Sequence, residues 1–397
     1  MRKNFMFTSE SVTAGHPDKL CDQISDAIVD HFMAQDPYTR IRVECAVSSA
    51  IVFIAAHFST SAKVDLPHVA RRVIKRIGYD QDDFNSNTCS ILTAPQGLPP
   101  DKKVRFDERL LTEEEIEKIA VQTQATIFGF ACDHTATLMP LPIWLSHKLA
   151  RRLSDVKLQN GISYLMPDGK VQVGVEFRAG RPHRIHSVTI TISQKSRGEP
   201  SLKKLRQDVM DAVVLPVFED EDIRPDKNTR IFINPDGVFL GGPLYHSGLT
   251  GRKNAVDTYG EFSRHSGNAL SGKDPFRIDR AGAYAARHAA KNVVAAGLAT
   301  RCEVTLSYSI GLTRPVSLQV ETFGTGKLED SHICNLIREH FDFRLAGVLR
   351  AFDLRYLPQK NPKGFYQRLA AFGHFGRMDM DLPWEKTNKV DILSSFL

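Results

Sequence analysis

The sequence predicts an α+β protein, because segments typical of strands alternate with apolar stripes typical of helices. Two runs rich in β-branched and aromatic residues, Arg42–Val47 and Ile51–Phe58, are typical of strands. The apolar side chains of one predicted amphipathic helix recur at every fourth position: Leu20, Ile24, Ile28 and Phe32. At 397 residues the chain is long enough for two or three domains.

Composition excludes several classes of protein. With 42% hydrophobic and 25% charged residues, the chain is neither disordered nor collagen-like. The net charge of +6 is small for this length and does not indicate a nucleic-acid partner. The apolar stretch Ala50–Ala56 is far shorter than the ~18–20 residues that cross a bilayer. The N-terminus runs directly into polar residues, so we expect no signal peptide, no membrane partner and a cytoplasmic protein.

The first predicted unit covers residues 1–100. A second amphipathic helix carries Val69, Val73 and Ile77 at fourfold spacing. The proline- and glycine-rich segment Ala94–Asp101 predicts irregular structure that ends this unit. The charged residues that follow, up to Arg109, predict a linker or an active-site flap.

The second unit, residues 112–228, begins with a capping box. Thr112 and Glu115 satisfy each other's backbone N–H groups and predict a helix running toward Gln124. Strands are predicted at Val171–Phe177 and Ser187–Ile192. A helix beginning at Ser201 follows, with core residues Leu205, Val209 and Val213.

The third unit, residues 229–397, opens near the strand-like Arg230–Ile233. Its clearest helix is the alanine-rich segment Asp279–Ala296, which Gly297 ends. The six cysteines are widely spaced, and none forms a C-x-x-C pair that would indicate zinc or redox chemistry.

The motif His16-Pro17-Asp18-Lys19 lies at the predicted start of the first helix. Proline is favoured there, and the free N–H groups of a helix N-terminus attract anions. In a phosphate site Asp18 would bind Mg²⁺. The alternative is that Asp18 only complements the helix dipole.

Two glycine-rich, basic segments follow, Gly248–Lys253 and Ser266–Asp274. Glycines beside cations allow backbone N–H groups and side-chain charge to converge on phosphates. A P-loop NTPase is not indicated, because Asp274 stands where a P-loop has Ser or Thr. Each segment alone is compatible with a simple turn, but the three basic sites together favour a polyphosphate substrate.

These motifs resemble the S-adenosylmethionine synthetase family. The resemblance begins with Phe7–Ser11 and Gly15–Lys19 and covers nearly the whole chain; it continues through Gly248–Lys253, Val256–Gly260, Ser271–Asp274, Tyr284–Arg287, Lys291–Leu298 and Gly373–Arg377. It implies three similar α/β domains related by pseudo-threefold symmetry and interleaved in space. It also implies a homodimer or homotetramer with active sites at the subunit interface.

The reaction implied by the resemblance joins ATP to methionine. The sulfur attacks C5′ of ATP and displaces the triphosphate, which is cleaved to pyrophosphate and phosphate. Cations must stabilise the charge of such a leaving group. The implied catalytic residues are His16, Lys19, Arg252 and Lys273. The implied ATP-binding residues are Asp168, Lys170, Phe239, Arg252, Lys253 and Lys273, with Asp18 and Asp279 for Mg²⁺ and Glu44 for K⁺.

The sequence departs from the family pattern where methionine would bind. The family has carboxylates for the methionine ammonium, and His57 and His246 stand at the matching positions. Its acidic residue in a glycine-rich stretch becomes Thr123, and its flap glutamine becomes Leu98. Arg277 keeps a cation where the family's lysine meets the methionine carboxylate.

Three functions therefore remain open at this point. The first is S-adenosylmethionine synthesis with altered methionine contacts. The second is adenosylation of another acceptor, such as a thioether carboxylic acid without an α-amino group, since imidazoles suit a carboxylate better than an ammonium. The third is an inactive partner subunit, against which the retained cations argue. A nucleic-acid module would need stacking aromatics among its basic residues, and we find none.

Overall fold

The computed structural model describes residues 4–82, 84–99, 105–159, 161–196 and 200–397. Its strands are β1 (Phe5–Val12), β2 (Arg40–Ser48), β3 (Ile51–Ser59), β4 (Ser90–Leu98), β5 (Ala125–Cys132), β6 (Leu165–Arg178), β7 (Arg181–Gln194), β8 (Arg230–Ile233), β9 (Gly248–Leu249), β10 (Arg301–Tyr308) and β11 (Ser317–Glu321). Its α-helices are α1 (Pro17–Gln35), α2 (Leu66–Ile77), α3 (Glu113–Ile116), α4 (Leu141–Leu158), α5 (Leu202–Val209), α6 (Leu215–Glu219), α7 (Asn254–Asp257), α8 (Ile278–Ala295), α9 (Asp330–His340), α10 (Leu345–Phe352), α11 (Leu357–Lys360), α12 (Tyr366–Leu369) and α13 (Val390–Ser394). None of these helices combines the length and apolar character needed to cross a membrane.

Three sheets, each covered by one long helix, make up the molecule. The first has the strand order β1-β6-β7-β8, the second β11-β10-β5 and the third β4-β3-β2-β9. Helix α4 packs on the first sheet, α8 on the second and α1 on the third. The predicted α+β class with three similar units is therefore confirmed.

Two of the sheets share a local pattern. In the third sheet, the antiparallel pair β2–β3 is followed by α2 and by β4, which lies parallel to β3. In the first sheet, the antiparallel pair β6–β7 is followed by α5, a π-helical turn and α6, and then by β8 parallel to β7. Each sheet also contains strands that are distant in sequence, and β8 at Arg230–Ile233 pairs with β7 of the preceding sequence unit.

The sequence predicted irregular structure over Ala94–Asp101, and this prediction is wrong for residues 94–98. Ser90–Leu98 forms β4, and residues 100–104 lie outside the described ranges. Pro95 is tolerated because β4 is an edge strand, so the missing N–H can face away from the ladder. The prediction from proline and glycine content failed because composition does not show which edge of a strand is paired.

The helix at Thr112 is also shorter than predicted. The capping box is present, with Thr112 bonded to the backbone N–H of Glu115 and Glu115 bonded back to Thr112. The helix nevertheless ends at Ile116 instead of continuing toward Gln124. Val121 exchanges backbone hydrogen bonds with Gly311 and Leu312, and this tertiary pairing holds the chain extended.

The first long helix, α1, is buried along most of its circumference and contains buried carboxylates. Asp26 accepts hydrogen bonds from the Gly272 backbone and the Arg280 guanidinium. Asp30 accepts hydrogen bonds from the backbone N–H groups of residues 365, 366 and 367. Burial raises the pKa of Asp26 to about 6 and that of Asp30 to about 7, despite these donors. The helix is therefore fixed by polar contacts as well as by its apolar stripe.

We expect the stability conferred by Asp30 to fall as the pH rises. Its carboxyl titrates near 3.8 in the unfolded chain and near 7 in the fold, so the folded protein retains the proton over that interval. Below pH 3.8 the contribution of Asp30 to the free energy of unfolding is complete. Between pH 3.8 and about 7 it decreases by about 1.4 kcal/mol per pH unit. The melting temperature of the wild type should therefore exceed that of Asp30→Asn by more at pH 5 than at pH 7.5. Asp391→Asn, at an exposed carboxylate, is the control. If the difference in melting temperature between wild type and Asp30→Asn increased with pH, Asp30 would be buried as an anion.

Candidate active site

The N-terminus of α1 positions His16 and Asp18. His16 is the N-cap, and its Nδ1 accepts a hydrogen bond from the Asp18 backbone at 3.2 Å, as expected for a residue followed by Pro17 at the first helical position. Burial lowers the pKa of His16 to about 3, so the imidazole is neutral near pH 7. Asp18 Oδ1 accepts a hydrogen bond from the Leu249 backbone at 3.0 Å and lies 3.6 Å from the Arg252 guanidinium.

Asp168 and His246 lie beside His16. Asp168, on β6, accepts hydrogen bonds from the Gly242 backbone at 2.7 Å and from His246 Nε2 at 2.6 Å. The His246 ring stands 5.1 Å from the His16 ring and 6.5 Å from the Phe239 ring. Gly241 has a φ of +61°, and a Cβ there would lie 2.7 Å from Asp168 Oδ2. Only glycine therefore fits at this turn without displacing the carboxylate.

Three cations surround this cluster. Lys170 is exposed on β6 opposite Val12, and its positive charge helps to lower the pKa of His16. Lys253 also helps to lower the pKa of His16, and its ammonium lies 3.4 Å from Glu10 Oε1. With Arg252, these side chains make the surroundings of His16 positive, as expected for a polyphosphate site.

A second cluster forms at the start of α8. Lys273 Nζ lies 3.5 Å from Asp279 Oδ2, and Asp279 Oδ1 is buried without a hydrogen-bond partner among the described residues. Arg277 is the N-cap of α8 and a neighbour of Arg40, which contacts Gln122. Thr123 follows Gln122 directly in the chain and is half-buried.

Both clusters line the same edge of the third sheet. Leu249 pairs with Ala46 of β2, and Lys273 forms a bridge with Arg42 of the same strand. Four residues of an extended strand separate the two pairing positions, which corresponds to about 13 Å. One chain thus presents the predicted phosphate ligands as two neighbouring clusters.

Lys19 does not join either cluster. Its side chain is fully buried, and its ammonium contacts both Asp22 and Asp257. Burial opposes the charged form, but the two carboxylates outweigh it and raise the pKa of Lys19. The structure therefore gives Lys19 an internal ion pair, and its catalytic role stays a prediction.

Three further predicted residues lie on the third sheet away from α1. Glu44 and His57 are exposed on β2 and β3, and Leu98 is exposed at the end of β4. Glu44 pairs with Arg42. His57 lies opposite Arg42 in the ladder and is therefore near the second cluster, not near His246.

The comparisons with known proteins agree with this organisation. Sequence profiles for the N-terminal, central and C-terminal domains of S-adenosylmethionine synthetase match residues 4–97, 118–239 and 240–386. The chain belongs to the S-adenosylmethionine synthetase family. It is accordingly an enzyme, a transferase of the methionine adenosyltransferase type.

Relatives are similar over their full length. The S-adenosylmethionine synthase of Microcystis aeruginosa is 47% identical over 411 aligned residues, covering 100% of this chain and 99% of the relative. Those of Gloeothece citriformis and Trichormus variabilis are 47% and 48% identical, each covering 99% of this chain and 97% of the relative.

Sequence reasoning missed several carboxylates that pair with the predicted cations. Glu10 lies within the matched N-terminal motif but was assigned no role, although it is the partner of Lys253. Asp22 and Asp257 were also missed, and they hold Lys19. A signal for Asp22 was present, because it is four residues from Asp18 and therefore lies on the same helix face.

We expect the main effect of Lys19→Met to be a loss of folding stability and not a slower reaction. Removing the ammonium leaves two buried carboxylates without their shared cation, which typically costs about 3–5 kcal/mol. The melting temperature should fall sharply, and Lys19→Met/Asp257→Asn should recover part of the loss. Lys253→Met, at a partly exposed cation of the first cluster, is the matched control and should melt like the wild type. A Lys19→Met protein that melts normally but is inactive would contradict this expectation and support the predicted catalytic role of Lys19.

Proposed function

We propose that this protein forms S-adenosylmethionine from ATP and methionine, with release of pyrophosphate and phosphate. The observation that carries the proposal is the convergence of His16, Asp168 and three cations at the N-terminus of α1. The names of the relatives support the same reaction, since they are S-adenosylmethionine synthases over the full length of the chain.

The residues of the first cluster suit the nucleoside and the leaving group. Asp168 offers a buried carboxylate for ribose hydroxyls, and Phe239 offers a ring for stacking on adenine. Neutral His16 can donate a hydrogen bond to the oxygen that departs from C5′, because its Nδ1 is used as the helix cap. Lys170, Arg252 and Lys253 stabilise the charge that develops on the triphosphate.

The second cluster completes the phosphate cage in this proposal. Lys273 would contact the triphosphate as a further cation. The unpartnered Oδ1 of Asp279 suits Mg²⁺, a hard ion that prefers oxygen ligands, and Asp18 would supply a second carboxylate. Bound Mg²⁺ would neutralise phosphate charge. Glu44 as the K⁺ ligand has weaker support, because Arg42 already contacts its carboxylate.

A homodimer with interfacial active sites, or a tetramer of such dimers, is part of the proposal. The face of the third sheet that does not contact α1 exposes large apolar side chains: Ile51, Phe53, Leu92, Leu98 and Leu249. Contiguous exposed apolar surface of this kind is typical of protein interfaces. A second copy on this face could bring its Lys273 cluster to the His16 cluster of the first.

Methionine remains the proposed acceptor despite the two histidines. His246 is already bonded to Asp168, so the contacts give no support to its pairing with an acceptor carboxylate. Arg277 keeps a cation for the methionine carboxylate, and His57, Leu98 and Thr123 would line the remaining space. Neither the deaminated thioether acid nor an inactive partner subunit is favoured by any contact in the described ranges.

A reducing compartment such as the cytoplasm is also proposed. All six cysteines are free thiols, and five of them are buried. Unpaired cysteines are usual where thiols are kept reduced.

Product analysis tests the proposed reaction. Incubation with ATP, methionine, Mg²⁺ and K⁺ should yield S-adenosylmethionine, pyrophosphate and phosphate by mass spectrometry, and chelator should abolish the yield. Lys273→Ala should lower kcat/KM at least thirtyfold, which corresponds to about 2 kcal/mol for one preorganised charge. Lys227→Ala, at an exposed lysine outside both clusters, should behave as the wild type. No product, or normal turnover by Lys273→Ala, would contradict the proposal.

The oligomer is tested at the exposed sheet face. Phe53→Asp puts a charge in the proposed interface, so it should shift the protein toward monomers and abolish activity while each chain remains folded. Light scattering after size exclusion measures the mass, and circular dichroism checks the fold. Phe232→Asp, at an exposed phenylalanine of β8, is the control. An active Phe53→Asp monomer would show that the site is complete within one chain.

A further inference from the structure

Tyr79 is a buried tyrosine that contacts the backbone next to His16. It follows Gly78, the C-cap of α2, and its ring stands perpendicular to the Phe84 ring with the centroids 5.0 Å apart. The residue is only 3% exposed. Its hydroxyl donates a hydrogen bond to the Gly15 backbone carbonyl at 2.5 Å. Because Gly15 immediately precedes His16, this bond fixes the backbone from which the imidazole projects.

The segment that carries His16 is packed against the strand that carries Asp168. A Cβ at Gly15 would lie 2.2 Å from Pro167 Cβ, so a larger residue could not keep this approach. Two residues before Gly15, Thr13 Oγ1 donates to the Pro167 backbone carbonyl at 2.6 Å. The tyrosine hydroxyl adds a further polar bond to this contact between the two segments.

The ring of Tyr79 also lies against the loop that donates to Asp168. A Cβ at Gly242 would be 3.3 Å from Cε1 of the tyrosine ring and 3.6 Å from its hydroxyl oxygen. The Gly242 N–H donates to Asp168 Oδ2 at 2.7 Å. One side chain therefore contacts both the residue before His16 and the backbone donor to Asp168.

The surroundings of Tyr79 keep its hydroxyl a donor. Burial and the negative charge of Asp168 raise the pKa of Tyr79 well above its usual value, so the phenol stays protonated. A buried tyrosine hydroxyl usually has a hydrogen-bond partner, and here the partner is the Gly15 carbonyl. A phenylalanine would fill the same space but would leave this carbonyl without the bond.

We propose that Tyr79 is a positioning residue that sets the separation between His16 and Asp168 and thereby the affinity for the nucleoside part of ATP. Under the proposed function, His16 meets the oxygen that departs from C5′ and Asp168 meets the ribose hydroxyls, so their separation must match the sugar. Tyr79 acts through Gly15 and Gly242 and does not itself touch the substrate. The link to the nucleoside rests on the proposed function, whereas the positioning of His16 by Tyr79 rests on the contacts alone.

Binding of two probes to Tyr79→Phe tests the proposal, because this variant loses the hydroxyl and keeps the ring. Calorimetry on the enzyme with Mg²⁺ uses the β,γ-imido analogue of ATP and the imido analogue of inorganic triphosphate, which has no nucleoside. The affinity for the ATP analogue should fall roughly threefold or more, since one neutral hydrogen bond corresponds to about two- to twelvefold. The affinity for the triphosphate analogue should change by less than about twofold, because the cations of the first cluster bind it.

Tyr308→Phe is the matched control. Tyr308 is 2% exposed, and its hydroxyl donates to the Phe343 backbone carbonyl at 2.9 Å, outside both clusters. This variant also loses one buried hydrogen bond, but it should keep wild-type affinity for both probes. Circular dichroism and melting temperatures establish that both variants are folded. An unchanged affinity of Tyr79→Phe for the ATP analogue, or an equal loss for the two probes, would overturn the proposal.

Histidine NMR separates failure of this inference from failure of the proposed function. In nucleotide-free protein with isotope-labelled histidine, the His16 ring signals are assigned with His16→Gln. They should shift in Tyr79→Phe and keep their place in Tyr308→Phe. An unshifted His16 signal would overturn the proposal whatever the activity. A wild type that binds no ATP analogue would contradict the proposed function, and the His16 signal would then decide the positioning by Tyr79 alone.

Discussion

The row of buried carboxylates along α1 is the constraint on which the rest of the structure depends. Its members recur every four residues and therefore lie on one face of the helix: Asp18, Asp22, Asp26 and Asp30. Each accepts hydrogen bonds from backbone N–H groups of a distant segment, at residues 249, 251, 272 and 365–367 respectively. A single helix thereby positions both basic loops and the C-terminal region.

This arrangement explains how flexible glycine loops can hold a precise site. Backbone N–H groups at Leu249 and Gly251 are fixed by Asp18 and Asp22, so the following Arg252 and Lys253 leave the loop at a defined point. Gly248 allows the close approach, because a Cβ there would lie 2.1 Å from a backbone oxygen of α1. Burying the carboxylates is unfavourable by itself, and the N–H donors and the Lys19 ammonium offset that cost.

The sequence could predict the parts of the site that depend on local rules. The helix start at His16-Pro17-Asp18 follows from capping preferences, and the structure agrees. The edge strand β4 and the early end of α3 depend on pairing with distant segments, which local composition does not encode. The bond from His246 to Asp168 joins residues 78 positions apart, and no spacing rule reports it. The carboxylate row was detectable as a fourfold repeat, but its partners were not.

The hydrogen bonds between Asp30 and residues distant in the sequence affect how the chain folds during synthesis. Helix α1 is synthesised well before its partners, because the donor to Asp30 that is nearest in the sequence, Phe365, lies 335 residues further along the chain. At about 5–20 residues per second, synthesis takes roughly 15 to 70 seconds to cover that distance. During this time the helix carries carboxylates whose partners do not yet exist. The hydrogen bonds of Asp30 can therefore form only after residues 365–367 have been synthesised.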